Sequence, residues 1–251
     1  MSAYTQTWGA GAFLMIHCAL AHSGVLRPLS EALPGGARAF DLPGHGRSPA
    51  WDPSSDYSET SVRWARAAMG GRAGPVIGHS YGATVALRLA VEAPELITEL
   101  YLIEPVFFAA IRLHDRPAYV AYLARFEPVQ AAFVQNDLAR MAELFTAMWD
   151  GAPLAELPPR FQKQVTRQMP LIAAQFDGID RDNGGVFAPG KLSRMDCPVT
   201  LIRGSEAEPS IPAIHDVLLS LIPGARAHVI EGAGHMLPIT HPREVAALIR
   251  P

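Results

Sequence analysis

Pro75-Val76-Ile77-Gly78-His79-Ser80-Tyr81-Gly82-Ala83 is the stretch that decides how this chain reads. Its first four residues have the short apolar character of a buried strand, and Ala83 to Glu92 is an Ala- and Leu-rich helix that ends before Pro94. Between them lies Gly78-His79-Ser80-Tyr81-Gly82, a Gly-x-Ser-x-Gly turn of the kind that lifts a serine out of a strand-to-helix corner. Side chains flanking the serine would clash in so tight a turn, and Gly78 and Gly82 remove them. The hydroxyl is then exposed above the sheet, and the following helix aims its free N–H groups at any negative charge developing beside it. The pentapeptide alone is weak evidence, because Gly and Ser are common. Its strand-before, helix-after setting makes Ser80 a candidate nucleophile rather than an ordinary serine in a Gly-rich turn.

The same strand–helix rhythm extends outward. Phe13-Leu14-Met15-Ile16 is a continuous apolar run suited to a strand buried on both faces. Ala37 to Asp41 is a second strand, stopped by Leu42-Pro43-Gly44-His45-Gly46. Ser58 to Met69 has helical spacing, with Val62, Ala65 and Met69 on one face. Leu100–Ile103, Pro198–Ile202 and Ala227–Ile230 are further strands, and Ile214–Leu221 and Pro242–Ile249 the helices after the last two. Alternation of this kind predicts an α/β fold with a mostly parallel sheet. Val106 to about Lys191 breaks the rhythm: it offers no strand, is rich in Phe, Met, Tyr and Ala, and is punctuated by Pro128, Pro153, Pro158-Pro159 and Pro170. It reads as a helical insertion, residues 106–191, between two core segments, 1–105 and 192–251. Asp180 to Gly190 is turn material that returns the chain to the sheet.

With 251 residues, 49% of them apolar, the chain can bury a sizeable core. A net charge of −3 gives no reason to expect a nucleic-acid or membrane-surface partner. No apolar run reaches membrane-spanning length, and the stretch from Ala10 to Ala21 reads as a strand and loop rather than a signal peptide, so a cytoplasmic protein is expected. Cys18 and Cys197, far apart, are expected to be buried reduced thiols.

A serine hydroxyl needs a base. His235, in Gly232-Ala233-Gly234-His235-Met236 just after the last strand, is the candidate, because a loop at the carboxyl end of a parallel strand shares the rim on which Ser80 stands. His241, next to Pro242, reads as a helix start, and His79 as pointing into the structure. An oxyanion requires two donors. The Tyr81 N–H is the first candidate; the second is expected from the loop after Ile16, with Ala19 preferred and Leu20 next.

The Ser80 turn, the segment Asp41-Leu42-Pro43-Gly44-His45-Gly46-Arg47-Ser48 and the late Gly-Ala-Gly-His followed by His241-Pro242 together resemble the α/β-hydrolase superfamily over roughly residues 10–105 and 192–251. That resemblance implies the α/β-hydrolase fold, with the insertion in the position of the superfamily's helical cap, and general hydrolase activity on a small-molecule substrate with neither cofactor nor metal. The chain order of Ser80 before His235 suits it. Two departures stand out. Cys18 occupies a position where the family usually has Gly, and only about one strand fits before Phe13, so a first strand usual in the family is expected to be missing.

The third member of the constellation stays open at this level. The acid that orients the imidazole usually follows the strand at Val199–Ile202 in the family, but Ala207 stands at that position, flanked by Glu206 and Glu208. Glu104 is the rival: it ends the Leu100–Ile103 strand 24 residues beyond Ser80, an arrangement similar to that of haloalkane dehalogenases. A purely structural carboxylate is the plain alternative for Glu104. Asp41 is expected to pin the Gly44–Gly46 turn, and Arg112, His114 and Arg116 to lie on a solvated surface. The expected activity is hydrolysis of a small, mainly apolar carboxylic ester through an acyl-enzyme. A carbon–carbon bond hydrolase using a similar triad and a non-catalytic ligand-binding protein of the same fold are the alternatives. Haloalkane and epoxide hydrolases are disfavoured, since they resemble this chain but need Asp where Ser80 stands.

Overall fold

Successive side chains of a strand face opposite ways, and in this protein both directions lead into a core. In the strand Phe13–Ile16, Leu14 and Ile16 join one apolar cluster, whereas Phe13 and Met15 join a second on the other side of the sheet. This is why the run is apolar throughout instead of alternating. The computed structural model describes residues 2–149 and 153–249. Its strands are β1 (Thr5–Thr7), β2 (Phe13–Ile16), β3 (Ala37–Phe40), β4 (Gly74–His79), β5 (Ile97–Ile103), β6 (Val199–Gly204) and β7 (Arg226–Ile230), ordered β1-β3-β2-β4-β5-β6-β7. β1 pairs antiparallel with β3 and every other pairing is parallel. A single described strand therefore precedes Phe13.

The helices are α1 (Arg27–Ala32), α2 (Tyr57–Met69), α3 (Tyr81–Glu92), α4 (Ala109–His114), α5 (Arg116–Val134), α6 (Leu138–Met148), α7 (Pro159–Ile179), α8 (Ser210–Leu221), α9 (Leu237–Thr240) and α10 (Pro242–Leu248). Residues of α2, α3, α4 and α8 pack with one face of the sheet, and those of α1, α9 and α10 with the other. Capping sets several boundaries: the Asp56 carboxylate accepts from the Glu59 N–H at the start of α2, and Gly70 in the left-handed region ends that helix. No described helix is long and apolar enough to cross a membrane.

Four helices, α4 to α7, lie between β5 and β6, and the described part of that segment contains no strand. Val129, Ala132, Met141, Val165, Met169 and Ile172 belong to a core of its own, against which Ala19 and Leu20 also pack. Two of its prolines do not punctuate it. Pro128 lies inside α5 and Pro170 inside α7. Each costs a backbone hydrogen bond, and the burial of Val129 and Met169 beside them, at 1% and 0% exposure, shows the packing that outweighs the loss. Pro153 and Pro158 do mark helix starts.

Candidate active site

The parallel register assembles the site at the carboxyl ends of neighbouring strands. His79 of β4 lies opposite Ile103 of β5, and Ile103 opposite Ile202 of β6. The next residues, Ser80 and Glu104, are therefore adjacent, and the Ser80 N–H donates to the Ile103 carbonyl at 2.8 Å. Ser80 has φ 55° and ψ −119°, in a region that L-residues avoid. The glycines around it are needed for room. A Cβ on Gly78 would stand 2.4 Å from the Gly82 carbonyl oxygen, and one on Gly82 would stand 2.2 Å from that of Ile16. The helix α3 begins at Tyr81, directly behind the serine.

Glu104 also has positive φ, at 48°, and is fully buried. One carboxylate oxygen accepts the Gly204 N–H at 2.8 Å, and the other accepts Nδ1–H of His235 at 3.0 Å. The structure thus brings Glu104, not the residues after β6, onto the histidine. Glu206 is exposed. Glu208 is buried elsewhere, paired with Arg125 at 2.6 Å and accepting the Ser210 N–H at 2.8 Å. With Nδ1 engaged by Glu104, Nε2 is the nitrogen of His235 left for proton transfer. The His235 loop is fastened from below: Nε2–H of the buried His79 donates to the His235 carbonyl at 2.8 Å. Burial, with the His235 ring next in size, holds the His79 imidazole well below its ordinary pKa.

The loop after β2 is held by two neutral histidines. His17 accepts the Leu42 N–H at Nε2 (2.9 Å) and donates from Nδ1 to the Cys18 carbonyl (2.6 Å). His45 accepts the Leu20 N–H at Nε2 (3.1 Å) and donates from Nδ1 to the Pro43 carbonyl (2.9 Å). Burial is the leading cause of their low pKa values, about 3 and about 4. The Leu20 N–H is therefore already engaged in a structural bond with His45. Asp41 accepts from the Ser23 N–H and hydroxyl, both at 2.6 Å, and from the Arg47 N–H at 2.7 Å, joining this loop to the Gly44–Gly46 turn. Cys18 is buried and Cys197 half-buried; both are free. Burial pushes the Cys18 thiol up to about 12, so it stays protonated and does not rival Ser80 as a nucleophile.

Ser80, Tyr81, Ala19 and His235 line one cavity of about 330 Å³. Phe108, Tyr122, Phe126, Phe145, Trp149 and Ile172 of the helical insertion supply much of its wall, and no Asp, Glu, Lys or Arg is among the described lining residues. The Trp149 ring lies 4.5 Å from that of His235, centroid to centroid, tilted by 42°. Arg112, His114 and Arg116 are not part of this wall; Arg112 donates to the Asp180 carbonyl at 2.7 Å. Trp149 carried no sequence signal that set it apart from the other aromatic residues of the insertion.

A sequence model described as "Alpha/beta hydrolase family" matches residues 13–248. The chain belongs to the alpha/beta hydrolase family. Among curated relatives of the family, the pimeloyl-[acyl-carrier protein] methyl ester esterase of Nitrosomonas europaea is 37% identical over 265 residues, covering 97% of this chain and 96% of its own length. Lipase LipV of Mycobacterium tuberculosis is 28% identical over 261 residues, covering 96% and 93%. A hydrolase from Pseudomonas aeruginosa PA01 superimposes with a TM-score of 0.72 at 22% identity, covering 97% of this chain and 91% of that one, a likeness of fold. With relatives of this kind, the protein is an esterase-like α/β hydrolase.

Proposed function

We propose that this enzyme cleaves a small, mainly apolar carboxylic ester through an acyl-enzyme, with Ser80 as nucleophile, His235 as base and Glu104 as the acid that orients it. The observation that carries the reading is the 3.0 Å bond from His235 Nδ1 to the buried Glu104 carboxylate, beside a cavity that Ser80 also lines. Nε2 of His235 takes the Ser80 proton as Oγ bonds to the ester carbon. Glu104 keeps the proton of the imidazole on Nδ1 and stabilises the imidazolium. The N–H groups of Tyr81 and Ala19 bind the oxyanion, the first helped by its place at the start of α3. The C–O bond then breaks, His235 gives its proton to the departing alcohol, and a water activated by the same nitrogen releases the acid. Residues 106–191 act as a cap that supplies the apolar wall and keeps bulk water from the acyl group. The setting is a cytoplasmic one.

The test uses a fluorophosphonate probe and short-chain aryl esters. The expected result is covalent labelling and ester turnover in the parent and neither in Ser80→Ala. Failure of the parent to label or to turn over any ester would reject the enzyme reading, and activity surviving in Ser80→Ala would reject the nucleophile.

A further inference from the structure

His235 belongs to a loop that starts at the edge of the sheet and ends far from it. The loop leaves β7, yet His235 meets residues of β5 and β4, two and three strands away in the order β4-β5-β6-β7. At about 4.8 Å per strand, those strands lie roughly 10 and 14 Å from β7. The loop is pinned to each strand that it passes. At β6, the Ala233 carbonyl accepts the Glu206 N–H at 3.0 Å and lies 1.8 Å from where a Cβ on Gly204 would stand, so only a glycine lets the loop down onto the strand end. At β5, Nδ1–H of His235 donates to Glu104 at 3.0 Å. At β4, Nε2–H of His79 donates to the His235 carbonyl at 2.8 Å. His79 is 1% exposed, and its Nδ1 is buried with no hydrogen-bond partner among the described residues. An apolar side chain would fill the same space without leaving a nitrogen unpaired, but it could not hold that carbonyl.

We infer that His79 is a positioning residue for the reaction: its hydrogen bond to the His235 backbone fixes where the imidazole stands relative to the Ser80 hydroxyl. The inference rests on the reading of Ser80 and His235 as nucleophile and base, and deepens it. Glu104 holds the ring at one point only, Nδ1, about which the ring and its loop could still swing. The bond from His79 holds the other end, the main chain, and two fixed points set the direction of Nε2. Both anchors stand at the carboxyl ends of paired neighbouring strands, His79 on β4 and Glu104 just past β5. His79 is also the residue bonded directly to Ser80, so one dipeptide presents the nucleophile and tethers its base. A small shift of β4 would carry both groups together. Burial keeps His79 neutral, and His235 and His17 are the ionisable groups that act on it; a neutral donor does not repel the imidazolium that forms at His235.

The experiment measures kcat and KM for a short-chain aryl ester in the parent protein, His79→Leu, His79→Asn and His79→Gln, with kcat corrected for the folded fraction by circular dichroism. Leucine fills the space without a donor. The asparagine amide is too short to replace Nε2–H, whereas the glutamine amide can reach its position. His79→Leu and His79→Asn are expected to lower kcat by about tenfold to a hundredfold with KM little changed, and His79→Gln to stay within about fivefold of the parent. The low-field proton resonance of His235 Nδ1–H is the second readout: it should persist in His79→Gln and broaden or disappear in the other two. A kcat within about threefold of the parent in a folded His79→Leu protein overturns the inference and leaves the esterase reading intact. Equal kcat in His79→Asn and His79→Gln does the same, and serves as the test should His79→Leu not fold. Absence of ester turnover in the parent protein overturns both.

Discussion

Glu104→Gln isolates one charge without changing the shape of the site. The carboxylate has two engagements, Gly204 N–H on one oxygen and His235 Nδ1–H on the other, and both partners donate. A glutamine has one acceptor and one donor in their place. If its oxygen stays on Gly204, its NH2 faces Nδ1 and drives the imidazole proton to Nε2, where it blocks proton transfer from Ser80. If its oxygen turns to His235, its NH2 opposes the Gly204 N–H in a fully buried spot. The first arrangement avoids that donor–donor contact, so the inactive tautomer dominates. Loss of the correct tautomer and of imidazolium stabilisation is expected to lower kcat by about 10³–10⁴, or about 4–5.5 kcal/mol of barrier. The assay is turnover of a short-chain aryl ester, with Glu206→Gln as a control that should stay within about twofold. Retention of kcat within tenfold of the parent by a folded Glu104→Gln protein would refute the reasoning, the more so if Glu206→Gln were the variant that lost activity.

Other consequences concern stability. His17, His45 and His215 are buried, with pKa values lowered from 6.5 to about 3, about 4 and about 3, in each case chiefly by burial. Below about pH 6.5 the unfolded chain binds protons that the folded chain refuses, so stability should fall as the pH falls through that value toward the folded pKa values, by up to about 1.4 kcal/mol per pH unit for each histidine; urea midpoints that stay level from pH 7 to pH 5 would contradict this. Both ring nitrogens of His215 lack partners, so His215→Leu should raise the unfolding free energy by about 1 kcal/mol and flatten the acid side of the profile. Gly82→Ala places a methyl group 2.2 Å from the Ile16 carbonyl oxygen and 2.6 Å from that of His17, both backbone atoms; a loss of about 3 kcal/mol or more is expected, and an unchanged melting temperature would show that the elbow has room to spare. Arg125→Ala leaves the buried Glu208 carboxylate with only its Ser210 contacts, and should cost about 3 kcal/mol by chemical denaturation while sparing the catalytic groups.

Much of the core was legible because local signals and tertiary context agree there. Apolar runs such as Phe13–Ile16 could only be strands buried on both faces, and Gly78 and Gly82 announce a turn whose steric need the coordinates bear out. Helix α1 left no such mark: its six residues, Arg27–Ala32, include Pro28 and are too few for a helical period to show. The start of α8 was hidden in the same way, since Pro209 and Pro212 mask a helix that begins at Ser210. Pro128 and Pro170 misled in the opposite direction, because packing within the insertion outweighs a local preference. At the site, sequence spacing could place Glu104, Glu206 and Glu208 only on the same rim. Choosing among them required the strand register that sets Glu104 beside Ser80, and the Arg125 partner that holds Glu208 elsewhere. The Leu20 N–H was equally hidden, since its acceptor, His45, is 25 residues away in the chain.

The insertion leaves the sheet after β5 and returns at β6, two strands that are paired side by side from Leu100–Val199 to Ile103–Ile202. Ser80, Glu104 and His235 all stand outside it, while Trp149, Gln175 and most of the aromatic wall stand inside. On the proposed reading, reactivity and selectivity fall in separable stretches of the gene, joined at two neighbouring points. A recombination that swaps residues 106–191 for the corresponding stretch of a relative is expected to change the ligand preference in one event while keeping Ser80, Glu104 and His235 themselves. The same separation makes the segment a compact target for saturation libraries, in which most members retain a working catalyst and differ in what they admit to it.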